Sequence, residues 1–190
     1  KQLVHPSDYI IAADGGWQTA QQMGWTTNCI LGDFDSSPCP ERENVIVLPT
    51  EKDDTDTHYA TKLAISEGFR DILYLGVLGG MRLDHMLGAL QSAYYAKNHG
   101  AKVLLSDGVT QIQLLQGSEK IILPYLENHY FSVIPWFGTV DGVSIEGGKY
   151  AVQNVQLTLD YPLGVSNEFV KDSVTISIKK GSLLVITTPK

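Results

Sequence analysis

The rhythm of the sequence changes once, near residue 108, and that change limits what the chain can fold into. Before it, short apolar runs alternate with helical patterns. Asp8 to Ala13 predicts a strand, Trp17 to Met23 a short helix stopped by Gly24, and Cys29 to Gly32 and Val45 to Leu48 two further strands. Thr55 to Glu67 predicts a helix stopped by Gly68, and Ile72 to Leu75 a fourth strand. Arg82 to Asn98 predicts a long helix closed by Gly100, with Leu83, Met86, Leu87, Leu90 and Tyr94 on one face. Lys102 to Ser106 predicts a fifth strand. Strands alternating with helices build a mostly parallel sheet covered on both faces.

After residue 108 the helical spacing is gone. Thr110 to Leu115, Glu119 to Leu123, His129 to Ile134, Gly142 to Glu146, Val155 to Leu159, Ser173 to Ile178 and Leu183 to Thr188 predict strands. Val174, Ile176 and Ile178 alternate with Ser173, Thr175 and Ser177, the period of a half-buried antiparallel strand. Lys179-Lys180-Gly181-Ser182 predicts a hairpin turn. The expected fold class is α/β: an N-terminal mostly parallel open sheet with flanking helices, followed by a C-terminal all-β sandwich. The expected domains are 1–112 and 113–190. A chain of 190 residues is long enough for two small domains at this scale.

The net charge of −7 argues against a passive nucleic-acid binder, which carries a basic face. It leaves room for a nucleotide held through a metal. Two cysteines, Cys29 and Cys39, suit a reducing, cytoplasmic setting better than a disulfide scaffold, and two thiols are too few for a zinc site. No apolar run approaches the ~18 residues of a membrane helix, and no secretory signal precedes the first predicted strand. The expectation is a cytoplasmic protein with neither nucleic acid nor membrane as partner.

The aspartates carry the functional signal. Asp14, Asp33, Asp35, Asp53, Asp54 and Asp56 follow predicted strands, and Asp84 follows the fourth strand after a glycine-rich turn. Ligands of an open parallel sheet sit beyond the carboxyl ends of its strands. Carboxylates gathered there repel one another unless a cation lies among them. Oxygen-only ligands favour Mg²⁺ or Ca²⁺. A single aspartate after a strand is as readily a helix cap or turn former; the repetition is what points to a site. Gly15-Gly16 after Asp14, and Gly76 to Gly80 ahead of Arg82, Asp84 and His85, let backbone amides approach an anion, and Arg82 suits bidentate phosphate contact. No G-x-x-x-x-G-K-[ST] loop occurs, and no G-x-G-x-x-G follows the first strand, which excludes a P-loop kinase and argues against a dinucleotide enzyme. His58 lies in a predicted helix without a partner at metal-ligand spacing, and no nucleophilic triad is apparent.

Asp14-Gly15-Gly16, Gly32-Asp33-Phe34-Asp35-Ser36, Asp53-Asp54-Thr55-Asp56, Gly79-Gly80 with Arg82-Leu83-Asp84-His85, and Gly164-Val165-Ser166-Asn167-Glu168-Phe169 occur in this order and span nearly the whole chain. Together they resemble the thiamine pyrophosphokinase family, bacterial type. The resemblance implies transfer of a pyrophosphoryl group from ATP to the hydroxyethyl oxygen of thiamine, giving AMP and thiamine diphosphate. It implies Mg²⁺ as cofactor and a homodimer with the active site at the subunit interface. Carried over, Asp14, Gly15 and Gly16 contact the nucleotide or its metal; Asp33, Asp35 and Asp53 hold Mg²⁺; Thr55 and Asp56 support the triphosphate and the reacting hydroxyl. Gly79, Arg82, Asp84 and His85 line the ATP pocket, and Ser166 and Asn167 face thiamine across the dimer. Asp35, Asp56 and Arg82 form the catalytic group, with Asp35 or Asp56 as proton acceptor. Trp136 is a candidate wall for the thiazolium ring, or a core residue.

Trp17, Met81 and Ala89 depart from the family pattern, and the family's usual strand ahead of the first predicted one is not seen. Three other readings compete. Asp33-Phe34-Asp35-Ser36-Ser37 mimics the D-x-D motif of haloacid-dehalogenase-like phosphatases, but the later chain lacks their α/β motifs. A D-x-D glycosyltransferase would release a nucleoside diphosphate instead of AMP. A non-catalytic nucleotide sensor would bind without turnover.

Overall fold

A computed structural model describes residues 3–35 and 38–190. Ser36 and Ser37, the end of the D-x-D segment, lie outside the described residues. The chain divides into two compact units, one of residues 1–72 with 79–101 and one of residues 73–78 with 102–190.

The first unit is built on three parallel strands in the order β1 (Ile11–Ala13), β2 (Cys29–Gly32), β3 (Val45–Val47). All four residues of β2 are buried, as expected of a central strand covered on both faces. Helix α1 (Gly16–Gln22) packs on β1, and α2 (Asp56–Ser66) packs on β1, β2 and α3 (Leu83–Asn98). Cys29, Leu31 and Leu48 form the centre of this core, with Ile11, Ala13, Ile46, Tyr59, Ala60 and Leu63 around them. Thr55 caps α2 by accepting the His58 amide at 3.2 Å. Gly68 and Gly100 stop α2 and α3 with φ of 90° and 81°, the left-handed conformation glycine adopts without strain.

The apolar stripe expected on α3 is buried only in part: Leu90 is buried, and Met86 and Tyr94 are half-buried. Leu83 and Leu87 are exposed, while Ala89, Leu90, Ser92, Ala93 and Ala96 are buried. Small side chains let α3 approach α2 closely, and a stripe judged by large apolar residues misses that face.

The second unit holds two sheets. One has the order β10 (Val152–Leu157), β9 (Val140–Glu146), β12 (Ser173–Ser177), β7 (Lys120–Pro124). The other has the order β11 (Asn167–Glu168), β8 (His129–Pro135), β13 (Ser182–Pro189), β6 (Gln111–Gln116), β5 (Lys102–Ser106), β4 (Asp71–Leu75). Residues from both sheets share one core, including Phe131, Val133, Val143, Val174, Ile176 and Leu183. Val174 and Ile176 are fully buried and Ile178 nearly so, as the alternation in the sequence predicts.

Two expectations are corrected here. The fourth and fifth strands do not extend the N-terminal parallel sheet; they join the tail strands. The cause is a tight turn after β5. Asp107 Oδ1 accepts the amides of Val109 at 2.8 Å and Thr110 at 2.6 Å, and Ser106 Oγ donates to Thr110 O at 3.0 Å. This Asx turn folds β6 back antiparallel on β5, pairing Leu104 with Gln113 and Ser106 with Gln111. The Lys179–Ser182 segment is likewise no hairpin. It carries the chain from β12 in one sheet to β13 in the other, held by Asp141 N donating to Lys180 O at 2.9 Å and Lys179 N donating to Asp141 O at 3.0 Å.

The two-residue strand β11 was not legible in the sequence and is tied down by charge. Glu168 accepts from Lys149 Nζ and Lys190 Nζ, each at 2.5 Å, and this holds its carboxyl down at about 2, below the ordinary 4.5. A carboxyl depressed in the folded state stabilises above its unfolded value and stops doing so as pH falls through its folded value. Stability is therefore expected to decline between about pH 4.5 and 2, and Glu168→Gln to flatten that part of a denaturation profile against pH. The difference should shrink in high salt, because the pair is partly solvated.

Candidate active site

Because β1 and β2 run parallel, Asp14 and Asp33 leave the sheet at the same edge, each directly after its strand. The two backbones nearly touch there. Asp14 N donates to Leu31 O at 2.7 Å, and a Cβ at Gly32 would lie 3.0 Å from Asp14 Cα. Glycine at 32 is what permits this approach. Asp14 (φ 45°) and Phe34 (φ 54°) both adopt left-handed backbone, a local strain that collects at functional sites.

Lys52 joins these carboxylates, and the sequence reading passed over it. Its Nζ lies 2.5 Å from Asp33 Oδ2 and 3.2 Å from Asp56 Oδ1, with all three side chains largely withdrawn from solvent. Asp33 Oδ1 also accepts the Asp35 amide at 3.3 Å. The Lys52 ammonium, then the Asp35 amide, lower the Asp33 carboxyl below its usual range. Asp56 shifts the other way. Burial raises it, Lys52 opposes, and the charges of Asp33 and Asp14 add to the rise. Its Oδ1 is buried, and the ion pair with Lys52 supplies no aligned hydrogen-bond donor. The signal for Lys52 was a lysine beside an aspartate run, four residues before Asp56 at the start of a helix.

The neighbouring acids face differently. Asp54 pairs with Lys62 at 2.7 Å and lies 3.9 Å from His58 Nε2. His58 Nδ1 meets Ser92 Oγ at 3.1 Å, and burial pushes the imidazole below its ordinary range. Ser92 is buried and donates to Gly88 O at 2.9 Å, so this group bridges α2 and α3 and offers no nucleophile. Asp53 is exposed, and its charge acts on Lys62. Among the described residues, no three of His, Cys, Asp and Glu meet at metal-binding distance. The structure thus draws Asp33 and Asp56 onto Lys52, sets Asp14 close enough for its charge to act on Asp56, brings Asp35 alongside through its backbone, and leaves Asp53 outside that group.

Gly15 precedes α1 as its cap and Gly16 opens it, with no acidic side chain in the first turn. Gly79 and Gly80 both have positive φ, 84° and 80°, in the turn ahead of α3. Arg82 then forks onto Asp84, Nε to Oδ1 at 3.0 Å and Nη2 to Oδ2 at 2.7 Å. The guanidinium holds the Asp84 carboxyl down at about 2. Both are well exposed, as is His85, so an anion there competes with Asp84 for Arg82.

In the second unit, Ser166 has a left-handed backbone (φ 59°), and its amide donates to Ser132 Oγ at 2.9 Å. Asn167 is buried. Its Oδ1 accepts the amides of Tyr150 at 3.0 Å and Glu168 at 2.9 Å, and its Nδ2 donates to Tyr150 O at 2.9 Å. Trp136 is half-buried, edge-on to Phe137 at 5.0 Å between ring centres, and its indole N–H is buried without a hydrogen-bond partner. An apolar groove lies close by, lined by residues that include Val133, Pro135, Leu159, Tyr161 and Val165.

These features define the class: a small protein of one α/β unit and one antiparallel β unit, with its polar site at the carboxyl ends of parallel strands. Comparison with known proteins then fixes the family. Residues 1–105 match the family model described as thiamin pyrophosphokinase, catalytic domain, and residues 118–183 the one described as thiamin pyrophosphokinase, vitamin B1 binding domain. The chain belongs to the thiamin pyrophosphokinase family. It is 32% identical over 183 residues to the thiamine pyrophosphokinase of Bacillus subtilis (strain 168), covering 93% of this chain and 85% of the relative. The crystal structure of thiamine pyrophosphokinase from Bacillus subtilis superposes with a TM-score of 0.86 at 30% identity, covering 96% of this chain and 88% of that one. The enzyme from Geobacillus thermodenitrificans gives 0.84 at 26% identity, covering 98% and 89%.

Proposed function

We propose that this chain transfers a pyrophosphoryl group from ATP to the hydroxyethyl oxygen of thiamine, releasing AMP and thiamine diphosphate, at the strand-end carboxylates around Lys52. The observation that carries the reading is the convergence of Asp14, Asp33 and Asp56 at one edge of a parallel sheet, in a chain whose two segments match the two domains of this family. The functional division falls near residue 112, with nucleotide chemistry ahead of it and thiamine recognition after it.

Mg²⁺ is the proposed cofactor. Asp33, with Asp35 beside it and a second carboxylate, Asp56, sharing its ammonium partner, makes an oxygen-rich edge that supports a hard oxygen-seeking cation. Asp33, Asp35 and Asp53 are the proposed set from which its carboxylate ligands come, completed by phosphate oxygens and water. When bound, it supplies charge neutralisation along the phosphate chain. Asp14 and the Gly15-Gly16 amides contact the nucleotide or its metal. Thr55 and Asp56 orient the triphosphate and the attacking hydroxyl. Gly79, Arg82, Asp84 and His85 line the ATP pocket, Arg82 exchanging Asp84 for phosphate. Positioning and charge carry most of such a reaction. Asp56 is the better proton acceptor of the two candidates, because burial makes its carboxylate more basic.

Ser166 faces thiamine across a homodimer. Asn167 acts by fixing the Tyr150 backbone, which supports a positioning role for its amide. The exposed row Leu159, Tyr161, Leu163 and Val165 supports a subunit interface, since exposed apolar rows mark interaction surfaces. Two free cysteines, Cys29 buried and Cys39 exposed, support a reducing, cytoplasmic setting. Among the described residues no helix is long and apolar enough to cross a membrane.

The test is incubation with thiamine, ATP and Mg²⁺, with and without EDTA, read by mass spectrometry. AMP and thiamine diphosphate should appear in equal amounts and only with metal. Phosphate or nucleoside diphosphate without thiamine diphosphate contradicts the reading.

A further inference from the structure

Lys52 has no part in the roles assigned above, yet it bridges two of the site's carboxylates. Its ammonium bonds Asp33 at 2.5 Å and lies 3.2 Å from Asp56, within reach of the two carboxylates that would otherwise repel each other. All three side chains are more than four-fifths withdrawn from solvent, so screening by salt is weak. The arrangement is local and pre-formed: Lys52 sits four residues ahead of Asp56, in the segment that leads into α2, and Asp33 follows β2.

A cation that takes Asp33 Oδ2 must remove the ammonium from the same oxygen, and the two positive charges repel at such range. The lysine stem is flexible and its head is a mobile point charge, so Nζ can leave without backbone movement. A triphosphate entering the same edge supplies the new partner it needs. We propose that Lys52 is a resident counter-cation: it occupies the Asp33–Asp56 cradle in the nucleotide-free protein, holds off a free divalent ion, and moves onto the phosphate chain when metal and nucleotide arrive together. Metal and nucleotide binding then become mutually dependent, which is a coupling between two ligands through one side chain. This rests on the carboxylate–metal reading above, and extends it to the order in which the site fills.

The test needs neither thiamine nor turnover, so a failure to make thiamine diphosphate leaves it intact. Mn²⁺ is titrated into the nucleotide-free protein and followed by electron paramagnetic resonance of the free ion. Lys52→Gln is expected to bind Mn²⁺ about tenfold more tightly than the parent, because the competing charge is gone. Lys52→Arg, which keeps the charge, is expected to stay near the parent. A non-hydrolysable ATP analogue is then titrated with metal present, and Lys52→Gln is expected to bind it about tenfold more weakly. These opposite signs separate a competing cation from a merely structural lysine, whose loss weakens both. Thermal melts in parallel confirm that the variants are folded, and Lys52→Met, which keeps the stem and removes the charge, serves if Lys52→Gln is not. Unchanged or weaker Mn²⁺ binding by folded Lys52→Gln overturns the proposal, as does unchanged affinity for the nucleotide analogue.

Discussion

Asp33→Asn is expected to lower kcat by about a thousandfold while leaving the protein folded, the scale seen when a charged group serving the transition state is removed. Asparagine has nearly the same volume, and its Oδ1 can still accept the Asp35 amide, which lies 3.3 Å from the carboxylate oxygen. What it loses is charge. The substitution removes the strongest partner of Lys52 and one of the proposed oxygens for the metal. Asp35→Asn is expected to behave similarly if both acids hold the cation. The paired measurement is steady-state turnover together with a thermal melt. Turnover within threefold of the parent in both variants would remove Asp33 and Asp35 from the metal site, whatever the stability.

Gly164→Ala is expected to destabilise the second unit by about 3 kcal/mol, the upper range for forcing a side chain into a filled space. Gly164 O accepts the Val133 amide at 2.8 Å, so the two backbones lie side by side. A Cβ at 164 would meet the Val133 carbonyl oxygen inside van der Waals contact and Val133 Cγ2 at 2.6 Å. Neither neighbour can yield easily. The carbonyl belongs to β8, and the Val133 side chain is buried in the core between the sheets. Relief requires the 164 segment to move away, and Ser166 and Asn167 move with it. Urea denaturation should show a lower midpoint with an unchanged slope, and KM for thiamine should rise in the protein that remains folded. A loss of under 1 kcal/mol would mean that the 164 segment is free to shift.

Local elements were legible because local rules decide them. Gly68 and Gly100 mark the ends of α2 and α3, and the serine–valine alternation of β12 gives its inward face. Partners were less legible. The apolar run within Lys102–Ser106 states that a strand exists but not which sheet takes it. The deciding signal was Asp107-Gly108, a turn that sends the next strand back antiparallel. At Lys179–Ser182 the same kind of signal misled, because a turn between sheets has the same composition as a turn within one. The buried face of α3 is made of Leu90 with three alanines and a serine, and a reading based on large apolar residues ranks the small ones low.

The site follows the same division. Asp14, Asp33 and Asp56 could be placed at one edge because a parallel sheet sends its strand ends there. Lys52 was missed because a lysine beside aspartates resembles a solvated surface charge, and only the fold turns it inward. Asn167 stands inside a recognisable motif, but its amide bonds belong to the Tyr150 backbone, which no motif states.

The most direct test of the account is the fate of isotopically labelled ATP. Two preparations, one labelled at the β-phosphorus and one at the γ-phosphorus, are incubated with thiamine and Mg²⁺, and the thiamine product is isolated. The account predicts that both labels enter thiamine diphosphate in full, with unlabelled AMP formed in equal amount. Thiamine monophosphate carrying only the γ-label, or inorganic phosphate as the sole labelled product, would contradict pyrophosphoryl transfer at the strand-end carboxylates.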